Sequence, residues 1–253
     1  MPISKTEFRK LMSIFRVPQL NSLGTGLQGS NGSALPGGAA AYTWATKPAA
    51  SSVAEGTKIV ITDYGVPTIE MVSDGTNWYP VGGSQLLYSA VFGSLATPTL
   101  SVSGAAANFN VGTDPVIPAG MLTFGVAGAP IGLRVKARYA RSGALTTTIT
   151  NRIYLGTSAT PASNSLLFTA NYAATDTSQL QVSTKFWAET ATSGTRTGFM
   201  TEGGAAAASS YSTLNTLINT AAAMNVSFGI SAYSGGTLTD VISLLKYEIY
   251  LEV

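Results

Sequence analysis

The sequence predicts an all-β protein whose C-terminal part, residues 85–253, is an antiparallel sandwich. Apolar and polar residues alternate along residues 131–140 and again along residues 245–253, and this period of two is typical of a strand with one buried face. Similar segments recur between them, separated by stretches rich in Gly, Ser and Thr. Short strands that follow one another in this way are typical of a β-sandwich.

The apolar residues of these segments define the predicted core. They are Ile131, Leu133, Val135, Ala137, Tyr139, Ile149, Ile153, Leu155, Leu180, Val182, Phe186, Met224, Val226, Phe228, Ile230, Leu245, Tyr247, Ile249, Leu251 and Val253. One segment stays open, because Leu214, Leu217 and Ile218 within residues 205–223 fit a helix as well as a strand.

The composition argues against several classes of protein. Lys and Arg number 14 and Asp and Glu 12 among 253 residues, so 10% are charged, against roughly 25% in an average soluble domain. A net charge of +2 without a basic cluster argues against a nucleic-acid partner. The absence of His and Cys removes the Ser-His-Asp triad, thiol nucleophiles, disulfides and most zinc sites. We therefore expect no cofactor, no metal and no enzymatic activity.

The distribution of apolar residues also bears on the membrane. A spanning helix needs about 18 or more consecutive apolar residues, and the apolar run between Leu11 and Val17 is interrupted by Arg16. We therefore expect neither membrane insertion nor a secretory signal.

The N-terminal residues predict one short amphipathic helix. Ser4 and Glu7 are spaced as a capping box, and Pro18 ends the helix. Its apolar face consists of Phe8, Leu11, Met12 and Phe15. A helix of about 14 residues is marginal in water, so this face must dock. It either packs on its own chain or anchors the protein in a neighbouring molecule.

Residues 1–54 together are interpreted as this helix and an extended arm. From Asn21 onward the segment is rich in Gly, Ala, Ser and Pro and has no hydrophobic period. Its isolated apolar residues are Leu20, Leu23, Leu27, Tyr42 and Trp44. Such residues are unusual in a free linker and indicate that the arm lies along a partner surface. The alternative is that Trp44 packs on the next module.

Residues 55–84 predict a small β module. Lys58–Thr62 is rich in β-branched residues, and Asp74-Gly75 joins two further strands with a strong hairpin signal. The module resembles one that recurs in tail fibres and other minor structural proteins of tailed phages. The residues that carry the resemblance are Gly56, Thr57, Thr62, Asp63, Gly65, Ser73, Asp74, Gly75, Thr76, Trp78, Pro80 and Gly83. Met71 departs from the pattern, where an aromatic residue is common.

The C-terminal part resembles the jelly-roll domains of phage head and tail appendages. The similarity lies in the entry segment 117–122, the strand 133–137 and the ending of the chain. The resemblance implies a structural protein of the virion, assembled in the bacterial cytoplasm and trimeric about a three-fold axis. Residues 1–54 would attach it to tail, portal, adaptor or capsid proteins, and the β domain would face a host surface glycan or protein.

Two other functions remain open. A capsid decoration or head-fibre protein also suits a basic N-terminal helix and an arm. A polysaccharide depolymerase would need only a carboxylate pair. The candidate receptor-facing residues combine aromatic, carboxylate and guanidinium groups, as polyol-binding surfaces do. They are Trp187, Glu189, Arg196, Phe199 and Glu202. The two aromatic residues among them fit a core or an interface as well.

A basic row on the best-defined strand allows two interpretations. Arg134, Lys136 and Arg138 alternate with the apolar residues of that strand and should face outward. They are either solvated or paired with Glu248 and Glu252 on a neighbouring strand or subunit. The sequence does not choose between these.

Overall fold

The computed structural model describes fifteen segments of the chain. They are residues 39–65, 68–92, 99–101, 107–109, 111, 114–122, 131–142, 149–158, 160, 163–172, 179–188, 193–202, 212–215, 218–230 and 241–253. In these segments the chain forms sixteen strands and one 3-10 turn, Ala50–Ser52, so the predicted all-β class is confirmed. The predicted N-terminal helix, with Phe8, Leu11, Met12 and Phe15, lies outside the described residues.

The chain divides into two compact units. Of the described residues, the first unit comprises those from 39 to Asp63 and Glu70–Trp78, and the second comprises those within Tyr64–Ile69 and Tyr79–Val253. A four-stranded sheet has the order β1-β2-β3-β4. Its strands are β1 (Ala40–Tyr42), β2 (Lys58–Ile61), β3 (Ile69–Ser73) and β4 (Trp78–Pro80).

The turn between β3 and β4 shows why Asp74-Gly75 predicts a hairpin. The Asp74 carboxylate accepts hydrogen bonds from the backbone N–H groups of Thr76 and Asn77, at 2.8 and 2.6 Å. Gly75 has a φ of 85°, a conformation that costs glycine little. Met71, which departs from the phage-module pattern, is fully buried on β3.

The end of the predicted arm is part of the first unit. The Trp44 backbone N–H donates to the Asp63 carboxylate at 2.8 Å, and the Trp78 indole donates to the Pro48 carbonyl at 2.9 Å. The Ser73 hydroxyl lies 3.1 Å from the Ala50 carbonyl. Residues 39–54 are therefore packed against the β2–β4 module of their own chain.

The second unit contains two sheets whose paired strands are antiparallel. The larger sheet has the order β14-β13-β12-β9-β16-β5, with β6 also paired to β16. Its strands are β5 (Ser84–Val91), β6 (Thr99–Ser101), β9 (Gly132–Ser142), β12 (Leu180–Ala188), β13 (Ser193–Glu202), β14 (Ser212–Asn215) and β16 (Val241–Glu252). The segment left open between helix and strand thus contains a strand, β14.

The smaller sheet has the order β11-β10-β15-β7, with β8 also paired to β15. Its strands are β7 (Ala107–Asn108), β8 (Val116–Ile117), β10 (Ile149–Gly156), β11 (Ser165–Tyr172) and β15 (Met224–Ile230). Phe228 of this sheet stacks on Tyr247 of the larger one, with ring centroids 5.0 Å apart. Phe109 and Tyr139 meet at 5.8 Å. The sheets pack face to face, so the predicted antiparallel sandwich is confirmed.

The chain crosses between the two sheets several times, although β10 and β11 follow each other in the smaller sheet and β12 to β14 in the larger one. We count β5 with β6 as one strand, β7 with β8 as the next, and then β9, β10, β11, β12, β15 and β16. In this numbering the larger sheet reads 1-8-3-6 and the smaller sheet reads 2-7-4-5. Strands β13 and β14 extend the larger sheet beyond β12, which is strand 6 in this numbering.

The close approach of β12 to β9 makes a prediction about Gly132. A Cβ atom at this position would lie 2.6 Å from the Trp187 ring and 2.7 Å from the Phe186 carbonyl oxygen. Because backbone cannot give way easily, we expect Gly132→Ala to lower the free energy of unfolding by about 1–3 kcal/mol. Urea unfolding measures this. Ser89→Ala, on an exposed position of β5, should change it by less than about 0.5 kcal/mol; equal effects of the two variants would contradict the prediction.

Candidate functional site

The outward rows of β16, β9 and β12 form a charged surface, which we call the outer face. Because side chains alternate along a strand, register places outward residues in four rows across these strands. The rows are Glu252, Gly132 and Trp187; Tyr250, Arg134 and Lys185; Glu248, Lys136 and Ser183; and Lys246, Arg138 and Gln181. The intervening residues, such as Val135 and Ile249, are fully buried in the sandwich.

Glu252 is held between two cations of the outer face. Its carboxylate lies 2.6 Å from Arg134 Nη2 and 2.9 Å from Lys185 Nζ. The Glu252 side chain is 10% exposed, so these contacts replace much of its hydration. This decides the interpretation that the sequence left open for Arg134, which pairs with Glu252 on the neighbouring strand of the same chain.

Tyr250 lies beneath two cations. The Arg134 guanidinium carbon and the Lys136 ammonium are each 5.0 Å from the centroid of its ring, within the range of a cation–π contact. Burial, together with the charge and hydrogen bond of Glu248, raises the pKa of Tyr250, while Arg134 and Lys246 act in the opposite direction. Tyr250 therefore remains a neutral phenol.

Glu248 is kept ionised by its neighbours. Burial acts to raise its pKa, but the hydrogen bond and charge of Lys246, the hydrogen bond of Tyr250 and the charge of Lys136 together lower it. The Lys246 ammonium lies 2.7 Å from the Glu248 carboxylate. A carboxylate in this state accepts hydrogen bonds and does not donate a proton.

A shallow cleft of about 110 Å³ lies at one end of the outer face. Its lining residues are Lys136, Ala137, Arg138, Gln181, Lys246 and Glu248. Among the described residues, no carboxylate comes within 4.0 Å of Lys136 or Arg138. Ser183, beside Lys136 in the register, is 3% exposed. Its hydroxyl has no hydrogen-bond partner in the described part of the chain.

The structure gives strand positions for four of the five predicted receptor-facing residues. Trp187 is half-buried on β12, with Lys185 Nζ 5.7 Å from its ring. On β13, which is described by its backbone alone, Arg196 pairs with Phe186, Phe199 with Ser183 and Glu202 with Gln181. Glu189 lies outside the described residues.

Sequence reasoning missed part of this surface. It did not single out Lys185 and Tyr250, which lie in the row of Arg134, or Lys246, which lies in the row of Arg138. The alternation of Lys246, Glu248, Tyr250 and Glu252 was a usable signal for the β16 side of the face, which contributes one residue to each row. No local signal indicates that the last strand lies beside β9.

Two other features are absent from the described segments. In them, no group of three or more Asp or Glu side chains is arranged to hold a metal ion. No helix of the described segments is both long and apolar enough to cross a bilayer.

The fold and the site define an all-β protein with a two-sheet antiparallel sandwich and a charged outer face. No protein-family model matches the chain, and no curated protein matches its sequence.

The Glu252 contacts predict a stability effect. Glu252→Gln removes the charge that compensates Arg134 and Lys185, both of which are partly buried. We expect the free energy of unfolding in urea to fall by about 1–3 kcal/mol. The matched control is Glu55→Gln, at an exposed position of the first unit. If both variants unfold at the same urea concentration, the pairing contributes nothing measurable.

The environment of Glu248 predicts a dependence on pH. Its pKa in the folded protein lies below the ordinary value of 4.5, so its contribution to stability is present above that pH and is lost as pH falls through the folded pKa. We expect the difference in thermal midpoint between wild type and Glu248→Gln to be largest near neutral pH and to shrink below pH 4.5. A difference that stays constant through this range would show that Glu248 stabilises the fold by packing alone.

Proposed function

We propose that this chain is a structural, non-enzymatic protein of a tailed-phage virion. In this proposal it is a tail fibre or appendage that attaches to the particle through its N-terminal residues and displays a binding β domain. The observation that carries the proposal is the arrangement of the second unit, an antiparallel two-sheet sandwich, following a module with the phage-type residue pattern. Fold alone does not determine function, so the residue pattern is the necessary second support.

We propose a jelly roll as the topology of the sandwich. The strand orders 1-8-3-6 and 2-7-4-5 support it, because they place early and late strands of the chain side by side in both sheets. Two interleaved Greek keys have this property. Preformed surfaces on such a rigid scaffold suit a protein that binds without catalysis.

The virion anchor is assigned to residues 1–38. Residues 39–54, the end of the predicted arm, are engaged by contacts within the first unit, such as the Trp78–Pro48 hydrogen bond. The apolar face of the predicted helix is therefore the best candidate for contact with tail, portal, adaptor or capsid proteins. Its residues are Phe8, Leu11, Met12 and Phe15.

The state of the two outer-face carboxylates supports a non-enzymatic role. A glycosidase needs a carboxylic acid that can donate a proton, usually with a raised pKa. On the outer face, Glu248 has a lowered pKa and Glu252 contacts two cations. The depolymerase alternative therefore depends on Glu189 and Glu202. Release of reducing ends from host polysaccharide that is abolished by Glu189→Gln or Glu202→Gln would establish it.

The proposed assembly is a homotrimer in the virion. Several copies would increase the avidity of weak contacts with a host surface glycan or protein. Light scattering should give three times 26.0 kDa, or 78 kDa, for the full chain. A variant lacking residues 1–38 keeps every described contact of both units, so it should give the same number of copies. A monomeric full-length protein would contradict the trimer. It would favour the capsid decoration protein, whose copies are arranged by the capsid lattice.

Competition for adsorption separates the two virion alternatives. Because a tail fibre contacts the host, the purified full-length protein should reduce phage adsorption in proportion to its concentration. The second candidate, a capsid decoration protein, also suits the basic face of the predicted helix, formed by Lys5, Arg9 and Lys10. It should leave adsorption unchanged. Antibody labelling of intact particles would then show the protein on heads instead of tails.

A further inference from the structure

We propose that the cleft of the outer face binds an anionic polysaccharide of low charge density. This inference rests on the proposed function, because it names the ligand class of the displayed β domain. The charges of the outer face motivate it. The face carries five cations and two carboxylates, a net charge of +3, whereas the whole chain carries +2. The cations are Arg134, Lys136, Arg138, Lys185 and Lys246, and the carboxylates are Glu248 and Glu252.

Two of these cations form no salt bridge with a carboxylate in the described part of the chain. Arg134 and Lys185 are engaged by Glu252, and Lys246 is engaged by Glu248. Lys136 and Arg138 remain, and both line the cleft. They are two residues apart on β9, which separates them by about 6.8 Å. The cleft therefore presents two cations outside any described salt bridge. Lys136 feels the charge of Glu248 and lies over the Tyr250 ring, whereas Arg138 is exposed and open to an incoming anion.

The two carboxylates of the face favour a sparsely charged ligand. Duplex DNA carries one negative charge per about 1.7 Å of its axis, and such a density would be repelled by Glu248 at the edge of the cleft. The flat sheet also offers no helix or ribbon to enter a groove. In a chain of sugars with occasional acidic groups, hydroxyls can donate to Glu248 while the acidic groups meet Lys136 and Arg138.

Polar groups that suit hydroxyls lie beside the cations. Gln181 lines the cleft, and its side-chain amide can donate to and accept from sugar hydroxyls. A sugar chain that follows β9 from Arg138 would reach Trp187 after about 20 Å. Trp187 is half-buried and offers an apolar ring to a sugar face.

The test uses the full-length protein and polygalacturonate, in which methyl esterification sets the number of charges without changing the backbone. We expect the half-esterified chain to bind in biolayer interferometry and the fully esterified chain not to bind. Arg138→Glu should weaken binding to the half-esterified chain at least about tenfold. Lys58→Glu changes the net charge equally at another exposed position and should leave the affinity within about twofold. Both variants should keep the wild-type thermal midpoint.

Several results would overturn the proposal. They are binding of no polygalacturonate, equal binding of the fully esterified chain, equal affinities of wild type and Arg138→Glu, and tighter binding of duplex DNA than of the half-esterified chain. The last would make the outer face a nucleic-acid surface.

The adsorption assay tests the proposed function separately. Inhibition of adsorption without polysaccharide binding would retain the host-attachment role and move it to another surface, whereas binding without inhibition would retain the cleft and remove that role.

Discussion

The second unit depends on where its last strand pairs. Strand β16 lies between β9 and β5, and register with β9 extends from Val241 to Glu252. Its inward residues are buried in the sandwich and include Leu244, Ile249 and Leu251. Its outward residues contribute one side chain to each row of the outer face. Because side chains alternate, a slip of one residue would exchange the two sets, and the core and the charged surface would be lost together.

The same register explains why so few charges produce a distinct surface. Only 10% of the residues are charged, yet seven of them meet on three adjacent strands. Cross-strand pairing brings Glu252 to Arg134 and Lys185, and places Glu248 opposite Lys136. Interactions between charges depend on short distance, so clustering gives these side chains an effect that scattered charges would not have.

Alternation predicted the strands best where one face of a strand is buried and the other is polar. β9 and most of β16 have this environment, and Val135 and Ile249 were correctly assigned to the core. The assignment of Val253 was wrong, because it is 47% exposed, and Leu245 is only half-buried at a shift in the register with β9. β14 was left open because a four-residue strand is too short for periodicity to decide. The sequence left open whether the arm lies along a partner or Trp44 packs on the next module, because contacts such as Trp44 with Asp63 and Trp78 with Pro48 join residues far apart in the sequence.

The sequence by itself determined the all-β class, the strands with one buried face, the Asp74-Gly75 turn and the outward position of Arg134, Lys136 and Arg138. These depend on local spacing, which the order of residues contains directly. Only the tertiary structure decided which strands are neighbours, and hence that Arg134 pairs with Glu252 while Lys136 and Arg138 line a cleft with Gln181. Pairing between distant strands is set by packing of the whole core, and no local pattern encodes it.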